Sequence, residues 1–356
     1  MTDVDYREAM AAWAYADRNP PAVRGVLRQE PEDFQVDEIL GFEPAGEGDY
    51  LYLLIEKRGA NTEFVAERLA DRFDIKRRDV GYAGMKDRNA VTRQWFSLRT
   101  RADADAFGAG SDEFRVLRAS RHRANLSPGS LSGNRFQLCV RALQGSRTSL
   151  ETAIERARLQ GVPNYFGPQR FGLDGGNLAT ALQLFGNRRV KHNQKQRGIY
   201  LSAARSFLFN EVLSDRVREG SWDDLLAGEA VIQDGSDNYF RTGPIAPILL
   251  ERVARHEIHP SGPLWGRGRP VVSGTVAAIE KRVLAPYELY KSGLECAGLV
   301  MGRRALRLFP KDLDYRWVGD DDLVIRFELT AGSYATSVMR ELIDSETESS
   351  DESSEG

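Results

Sequence analysis

Cysteine is scarce in this chain and long apolar runs are missing, and each absence removes a class of explanation. Cys139 and Cys296 are the two cysteines in 356 residues. Two distant thiols support no disulfide framework and fit a reducing compartment, so a cytoplasmic protein is expected. The longest apolar stretches, such as 271–279, contain Ser and Gly and are too short to span a bilayer. No membrane partner is therefore expected. The opening Met1-Thr2-Asp3-Val4-Asp5 is acidic and lacks the apolar core of a signal peptide, so no secretory leader is expected either. No repeat recurs at a solenoid period. His256-Glu257-Ile258-His259 lacks the spacing of a zinc-binding His-Glu-x-x-His helix, so no metal is expected.

What is present is the composition of a globular protein, 41% hydrophobic and 28% charged. The length is enough for two domains. The net charge of −3 conceals a division. Six acids and no Lys or Arg fall within Asp344 to Gly356, so the rest of the chain carries +3. That Ser/Glu-rich end, residues 344–356, cannot bury a core and is expected to be disordered.

The informative stretch is Val80-Gly81-Tyr82-Ala83-Gly84-Met85-Lys86-Asp87-Arg88-Asn89-Ala90-Val91-Thr92-Arg93-Gln94-Trp95-Phe96. A short apolar strand breaks at Gly84, where a glycine permits a tight turn or a close approach. It presents Lys86-Asp87-Arg88 and returns as a second strand. Asp87 is thus expected on a loop held between two strands and flanked by cations. Nearby positive charge favours the ionised carboxylate and attracts a polyanion. A Lys-Asp-Arg triplet on its own is ordinarily a charged hairpin tip, but the full string resembles the signature of the TruD family of tRNA pseudouridine synthases. In that family the aspartate of Gly-x-Lys-Asp is catalytic, which implies that role for Asp87.

Four further segments carry the same resemblance in order. Pro31-Glu32-Asp33-Phe34 matches the family's Pro-Glu-Asp-Phe, whose phenylalanine contacts substrate; a Phe there is otherwise a core residue. The family usually has lysine six residues before it, and this chain has Arg28, which keeps the charge but changes the geometry. Gly133-Asn134-Arg135-Phe136 begins a strand in which Phe136, Leu138 and Val140 alternate with Arg135, Gln137 and Arg141. Its Gly-Asn is ordinarily a turn, but the family's asparagine there binds substrate, and an amide suits a uracil edge. Gly161-Val162-Pro163-Asn164-Tyr165-Phe166-Gly167-Pro168-Gln169-Arg170-Phe171-Gly172 resembles the start of the family's inserted domain. Ala331-Gly332-Ser333-Tyr334 resembles the C-terminal motif, with Tyr334 where the family commonly has a substrate-contacting Phe.

The resemblance implies an α+β fold. A pseudouridine synthase catalytic domain with a mixed β-sheet, residues 1–159 and 309–343, is interrupted by an inserted α/β TRUD domain at 160–308. Residues 1–24 are expected to be a weakly ordered lead-in. Asn61-Thr62 is expected to cap a helix with Val65, Leu69 and Phe73 on one face, and Ser202–Val217 to form another helix.

The implied reaction is isomerisation of uridine 13 in the D arm of tRNA to pseudouridine, with no cofactor. Asp87 is the catalytic residue, Phe34, Asn134 and Tyr334 bind substrate, and Arg28 and Lys86 are candidate charge partners. Whether Asp87 acts as nucleophile or as base stays open. Lys76, Arg77, Arg78, Arg121, Arg123, Arg188, Arg189 and Lys191 are candidate RNA contacts, each also readable as a solvated basic residue. A monomer is expected. Two rivals stand beside this reading. One is a non-catalytic RNA-binding or RNA-chaperone protein on the same fold, and the other is a base-excising enzyme that pairs Asp87 with Glu32 or Glu38 as acid.

Overall fold

The structure, a computed structural model, describes residues 5–102, 114–127, 129–186 and 193–347. Arg188, Arg189 and Lys191 lie outside the described residues. The chain forms two compact units. One holds residues 1–21, 151–309 and 333–342, and the other holds residues 22–150, 310–332 and 343–356.

The second unit is built on a ten-stranded sheet. Its first seven strands are β1 (Arg24–Leu27), β2 (Phe34–Leu40), β3 (Tyr50–Arg58), β4 (Val80–Tyr82), β5 (Val91–Arg99), β6 (Phe114–His122) and β7 (Leu131–Gln144). The order across the sheet is Lys311–Val318, Asp322–Thr330, β7, β2, β5, β3, β6, with β4 paired to β5 and β1 to β7. β2 runs parallel to β5 and antiparallel to β7, so the sheet is mixed as expected. Alternation sets its faces. Phe136, Leu138 and Val140 of β7 are buried, while the intervening Arg135, Gln137 and Arg141 are half-buried or exposed. Val36, Phe136 and Phe327 stand in register across three strands, and Phe34 and Phe327 each lie within 6.2 Å of the Phe136 ring. The helix Thr62–Arg72 buries Val65, Ala66 and Leu69 against Leu53, Ile55 and Phe96. Each such side chain contributes about 1.5–3 kcal/mol by leaving water.

Two ends of the chain depart from expectation. The region expected to be a weakly ordered lead-in contains the helix Tyr6–Ala11, and Tyr6 and Trp13 are buried in the core of the first unit. Trp13 stacks on Tyr165 at 5.8 Å and meets Phe171 edge-on at 5.4 Å. These partners lie more than 150 residues away, so no local pattern marks the order. At the other end, Asp344–Thr347 forms a strand parallel to β1, where a disordered tail is expected from residue 344. Strand addition at a sheet edge uses backbone hydrogen bonds, so a polar sequence can supply it. Residues 348–356 lie outside the described set.

The first unit surrounds a 25-residue helix, Gln194–Arg218, whose Phe207, Leu208, Val212 and Leu213 are buried. It begins eight residues before the expected Ser202 because Asn193 and Gln196 cap each other's backbone N–H groups. The unit also has a four-stranded antiparallel sheet, in the order Tyr239–Arg241, Ala230–Gln233, Ile258–Leu264 and Gly302–Ala305. The helix Ala335–Leu342 belongs here, with Ser337 Oγ donating to the Tyr165 carbonyl at 2.6 Å. The units thus place residues 1–21 and 333–342 with 151–309, where the sequence expectation joins them to the catalytic domain. Among the described residues no helix is long and apolar enough to cross a membrane.

Candidate active site

β4 and β5 pair antiparallel, Val80 with Leu98 and Tyr82 with Phe96, so residues 83–90 form the connection that carries Asp87. The glycine that close packing requires is Gly81 rather than Gly84. A Cβ at Gly81 would sit 2.4 Å from the Leu126 carbonyl oxygen, whereas one at Gly84 would meet nothing.

Buried polar side chains pin the connection. Gln94 Nε2 donates to the Gly84 carbonyl at 2.6 Å. Thr62 Oγ1 accepts the Lys86 N–H at 3.0 Å and donates to Gln94 Oε1 at 3.0 Å. Lys57 Nζ donates to the Ala60 carbonyl at 2.7 Å and to the Asp87 carbonyl at 2.9 Å. Asp87 Oδ1 accepts the Asn89 N–H at 3.1 Å, which closes a turn around the carboxylate. The peptide of Asp87 is therefore held from below, while its side chain remains 32% exposed and reachable.

The charges are distributed unevenly. Arg28 Nη1 lies 2.7 Å from Asp87 Oδ2. Arg28 follows β1 directly with a φ of 63°, a left-handed backbone that side-chain-bearing residues adopt at a cost. Its guanidinium lies over the Phe34 ring at 4.0 Å. The planar Arg thus stacks and forms an ion pair at once, which a Lys ammonium does less well. Phe34 is itself 6% exposed, so in this structure its ring supports Arg28.

Lys86 is not a charge partner of Asp87. Its Nζ pairs at 2.6 Å with Glu38 Oε1, and the Glu38 side chain is fully buried. A buried carboxylate with no cation would be costly, and Lys86 is the cation within reach. The other oxygen, Glu38 Oε2, accepts the Trp95 N–H at 2.9 Å. Burial pushes the Glu38 carboxyl up, and the Lys86 charge opposes the rise. Burial pushes the Lys57 ammonium down to about 8, against the opposing pull of the Asp87 charge.

Asn134 stands directly across from Glu38 in the β2–β7 register. Its Oδ1 is buried and has no hydrogen-bond partner among the described residues. An orphaned acceptor of this kind carries a desolvation cost that a ligand N–H would relieve. Phe34, Val36 and Glu38 share one face of β2 by alternation. Asp87 is tied to both ends of that row, through Arg28 to Phe34 and through its neighbour Lys86 to Glu38 and Asn134.

Tyr334 belongs to the other unit. There its hydroxyl accepts a hydrogen bond from Arg170 Nη2. Of the basic residues singled out, Lys76 and Arg78 are exposed and Arg77 lies over Tyr82. Arg123 pairs with Glu47 on the surface. Arg121 spends both terminal nitrogens on the Thr100 and Ala102 carbonyls, at 2.5 Å each, and so holds the end of β5.

Lys57 is the residue that sequence reasoning missed, and Glu38 entered only as a rival acid. A signal exists for both. Leu51, Leu53 and Ile55 place Lys57 on the buried face of β3, and Phe34 and Val36 place Glu38 on that of β2. A charge in an inward register position calls for a partner.

The family model described as tRNA pseudouridine synthase D (TruD) matches residues 13–182 and 186–342. The chain belongs to the TruD family of tRNA pseudouridine synthases. A tRNA pseudouridine synthase D of Methylococcus capsulatus is 50% identical over 323 residues, covering 90% of this chain and 91% of the relative. One of Xanthomonas axonopodis pv. citri is 45% identical over 337 residues, covering 89% and 91%. A solved TruD structure from Methanosarcina mazei superposes with a TM-score of 0.73 over 96% of this chain and 98% of that one, at 22% identity, and shows the shared fold. TruD proteins are isomerases, and the α+β fold with its mixed sheet is that of the family.

Proposed function

We propose that this TruD chain isomerises uridine 13 in the D arm of tRNA to pseudouridine, with Asp87 as the catalytic residue. The observation that carries this reading is the Asp87 carboxylate itself. It is paired with Arg28 at 2.7 Å, partly open to solvent, and mounted on a loop pinned by Lys57, Thr62 and Gln94. The reaction breaks the bond between C1′ and uracil N1 and forms one between C1′ and C5. C5 loses a proton and N1 ends with one, so atoms balance and no oxidant or cofactor is needed. Asp87 acts at the ribose, as nucleophile at C1′ or as base at C2′. The base must leave its stack to be turned, and on this reading Asn134 Oδ1, which has no hydrogen-bond partner among the described residues, accepts from the uracil N3–H. Phe34 is a substrate residue in the same unit, and Tyr334 is a substrate contact carried over from the family pattern. On the same reading the enzyme is a cytoplasmic monomer without metal, and residues 160–308 form its inserted domain.

The test is tritium release from C5-labelled uridine in tRNA transcripts. Wild type is expected to release tritium from a transcript with uridine 13 and not from one carrying cytidine there. Asp87→Asn is expected to lose about 10³-fold or more in rate while still binding tRNA. Tight binding without release by wild type would make the protein an RNA-binding relative and sink the enzyme reading.

A further inference from the structure

Lys86 adjoins Asp87 in the chain and takes no part in holding its carboxylate. Its Nζ lies 2.6 Å from Oε1 of the fully buried Glu38 side chain, and the Lys86 side chain is itself 10% exposed. The contact is close but is not aligned as a hydrogen bond, and Glu38 Oε1 has no hydrogen-bond partner among the described residues. Directly across the β2–β7 pairing, Asn134 Oδ1 is also buried and also has none. Asp33, a buried carboxylate just before β2, shows the contrast. Both its oxygens accept from Arg141 Nε, at 3.0 and 2.9 Å, and Oδ2 also accepts the Glu30 N–H at 3.0 Å.

The Lys86 ammonium is nonetheless fixed at both ends. Its backbone N–H is held by Thr62 Oγ1, and the carboxylate it faces is held by the Trp95 N–H through Oε2. The Asp87, Lys86 and Glu38 charges all act on the buried Lys57 ammonium, so they share one electrostatic neighbourhood. An ammonium carries more donors than a single carboxylate oxygen can take. A positioned donor and an unsatisfied acceptor on Asn134 therefore flank Glu38.

That pairing suits the edge of uracil, where N3–H lies between the O2 and O4 carbonyls. Breaking the C1′–N1 bond sends its electron pair into the uracil ring, and the charge spreads over N1, O2 and O4. A donor fixed on one of those oxygens stabilises the charge as it develops, without having to reorganise. The charge is discharged when C5 bonds to C1′, C5 loses its proton and N1 gains one.

We propose that Lys86 is a catalytic residue that donates to a carbonyl oxygen of the target uracil and stabilises the base as it leaves C1′, with Glu38 as its positioning residue. This inference rests on the isomerase reading of the Asp87 site. It holds whether Asp87 attacks C1′ or takes a proton at C2′, because both routes release the base with its electron pair.

The experiment is single-turnover tritium release from full-length tRNA carrying C5-tritiated uridine, 2-thiouridine or 4-thiouridine at position 13. Lys86→Met is expected to lose about 10²–10³-fold in rate on uridine, the usual cost of one donor to a developing anion, with tRNA affinity near wild type. The double variant Lys86→Met, Glu38→Gln leaves no buried carboxylate unpaired, and its rate is expected to stay low. Recovery of the wild-type rate in the double variant would make the pair scaffold and overturn the proposal. Sulfur accepts hydrogen bonds less well than oxygen, and one of the two sulfur positions is expected to slow wild type about tenfold relative to its effect on Lys86→Met. Thiouracils are more acidic than uracil and leave more readily, so slowing by sulfur runs against the intrinsic trend. It reads the contact on wild type even where a variant fails to fold. Slowing that is equal in wild type and Lys86→Met, or absent at both positions, overturns the proposal. No release from unmodified uridine 13 by wild type is a different result, which sinks the isomerase reading and this inference with it.

Discussion

The Arg28–Asp87 pair and the Arg303–Glu280 pair are both arginine–carboxylate contacts, at 2.7 and 2.6 Å, and they do opposite things. Arg303 and Glu280 are nearly buried, and every guanidinium nitrogen of Arg303 is used. Nη1 goes to Glu280, Nε to Ser261 Oγ at 3.0 Å, and Nη2 to the Ser261 carbonyl. Such a closed pair can only be scaffold. Arg28 and Asp87 are 20% and 32% exposed, and the nearby row of β2 and β7 ends in an amide oxygen with no partner among the described residues. Polar satisfaction separates the two more sharply than charge does. A network that completes itself rigidifies the core, while one left incomplete keeps an acceptor that a ligand donor could satisfy.

That contrast can be broken experimentally. The largest stability effect is expected at the closed pair. Glu280→Gln leaves the Arg303 charge buried and unpaired, which costs about 3–5 kcal/mol. Thermal or urea unfolding should record that loss, while tritium release per folded molecule stays near wild type. A large fall in specific activity with unchanged stability would mean that the closed pair is functional after all.

Lys57 sits between the two cases, being buried yet attached to the loop that carries Asp87. Lys57→Met removes its bonds to the Asp87 and Ala60 carbonyls but also removes the penalty of burying an ammonium. Stability should therefore change little, while activity falls about 10–100-fold as the loop loses its anchor, the equivalent of one or two hydrogen bonds. The pH dependence sharpens this. The folded value of about 8 lies below the ordinary lysine value of about 10.4. Between those values the unfolded chain binds more protons, so this group makes the fold more stable as pH rises through that window. A loss of wild-type turnover above about pH 8, absent from the residual rate of Lys57→Met, would thus report loosening of the loop and not unfolding through Lys57. An identical alkaline limb in both proteins would remove Lys57 from the mechanism.

The smallest effect is expected at the open pair's cation. Arg28→Lys keeps the charge but gives up much of the stacking on Phe34, worth about 0.5–1 kcal/mol. Activity should fall less than about tenfold, and stability by no more than that stacking energy. A total loss of turnover would show that the guanidinium shape, and not its charge, is what Asp87 requires.

Much of the site was legible because its parts lie in short continuous strings. Asp87 stands in its loop, Phe34 after Pro-Glu-Asp, and Asn134 at the mouth of an alternating strand. What such strings cannot carry is a partner. Lys86 adjoins Asp87 in the chain, yet it answers Glu38 on another strand. Arg121 looked like a phosphate contact and caps two carbonyls instead. The N-terminal segment read as weakly ordered because Trp13 meets Tyr165 and Phe171 only after folding.

The sequence by itself determined much of the strand pattern, the faces the strands bury and the family, since alternation, capping and motif are local properties of the chain. The tertiary structure alone decided which charge neutralises which, that residues 1–21 and 333–342 pack with 151–309, and that the Asn134 oxygen has no partner among the described residues. The physical reason is range. Propensity and periodicity act over a few residues, whereas pairing of buried charge and satisfaction of buried polar atoms depend on groups that folding brings together from far along the chain.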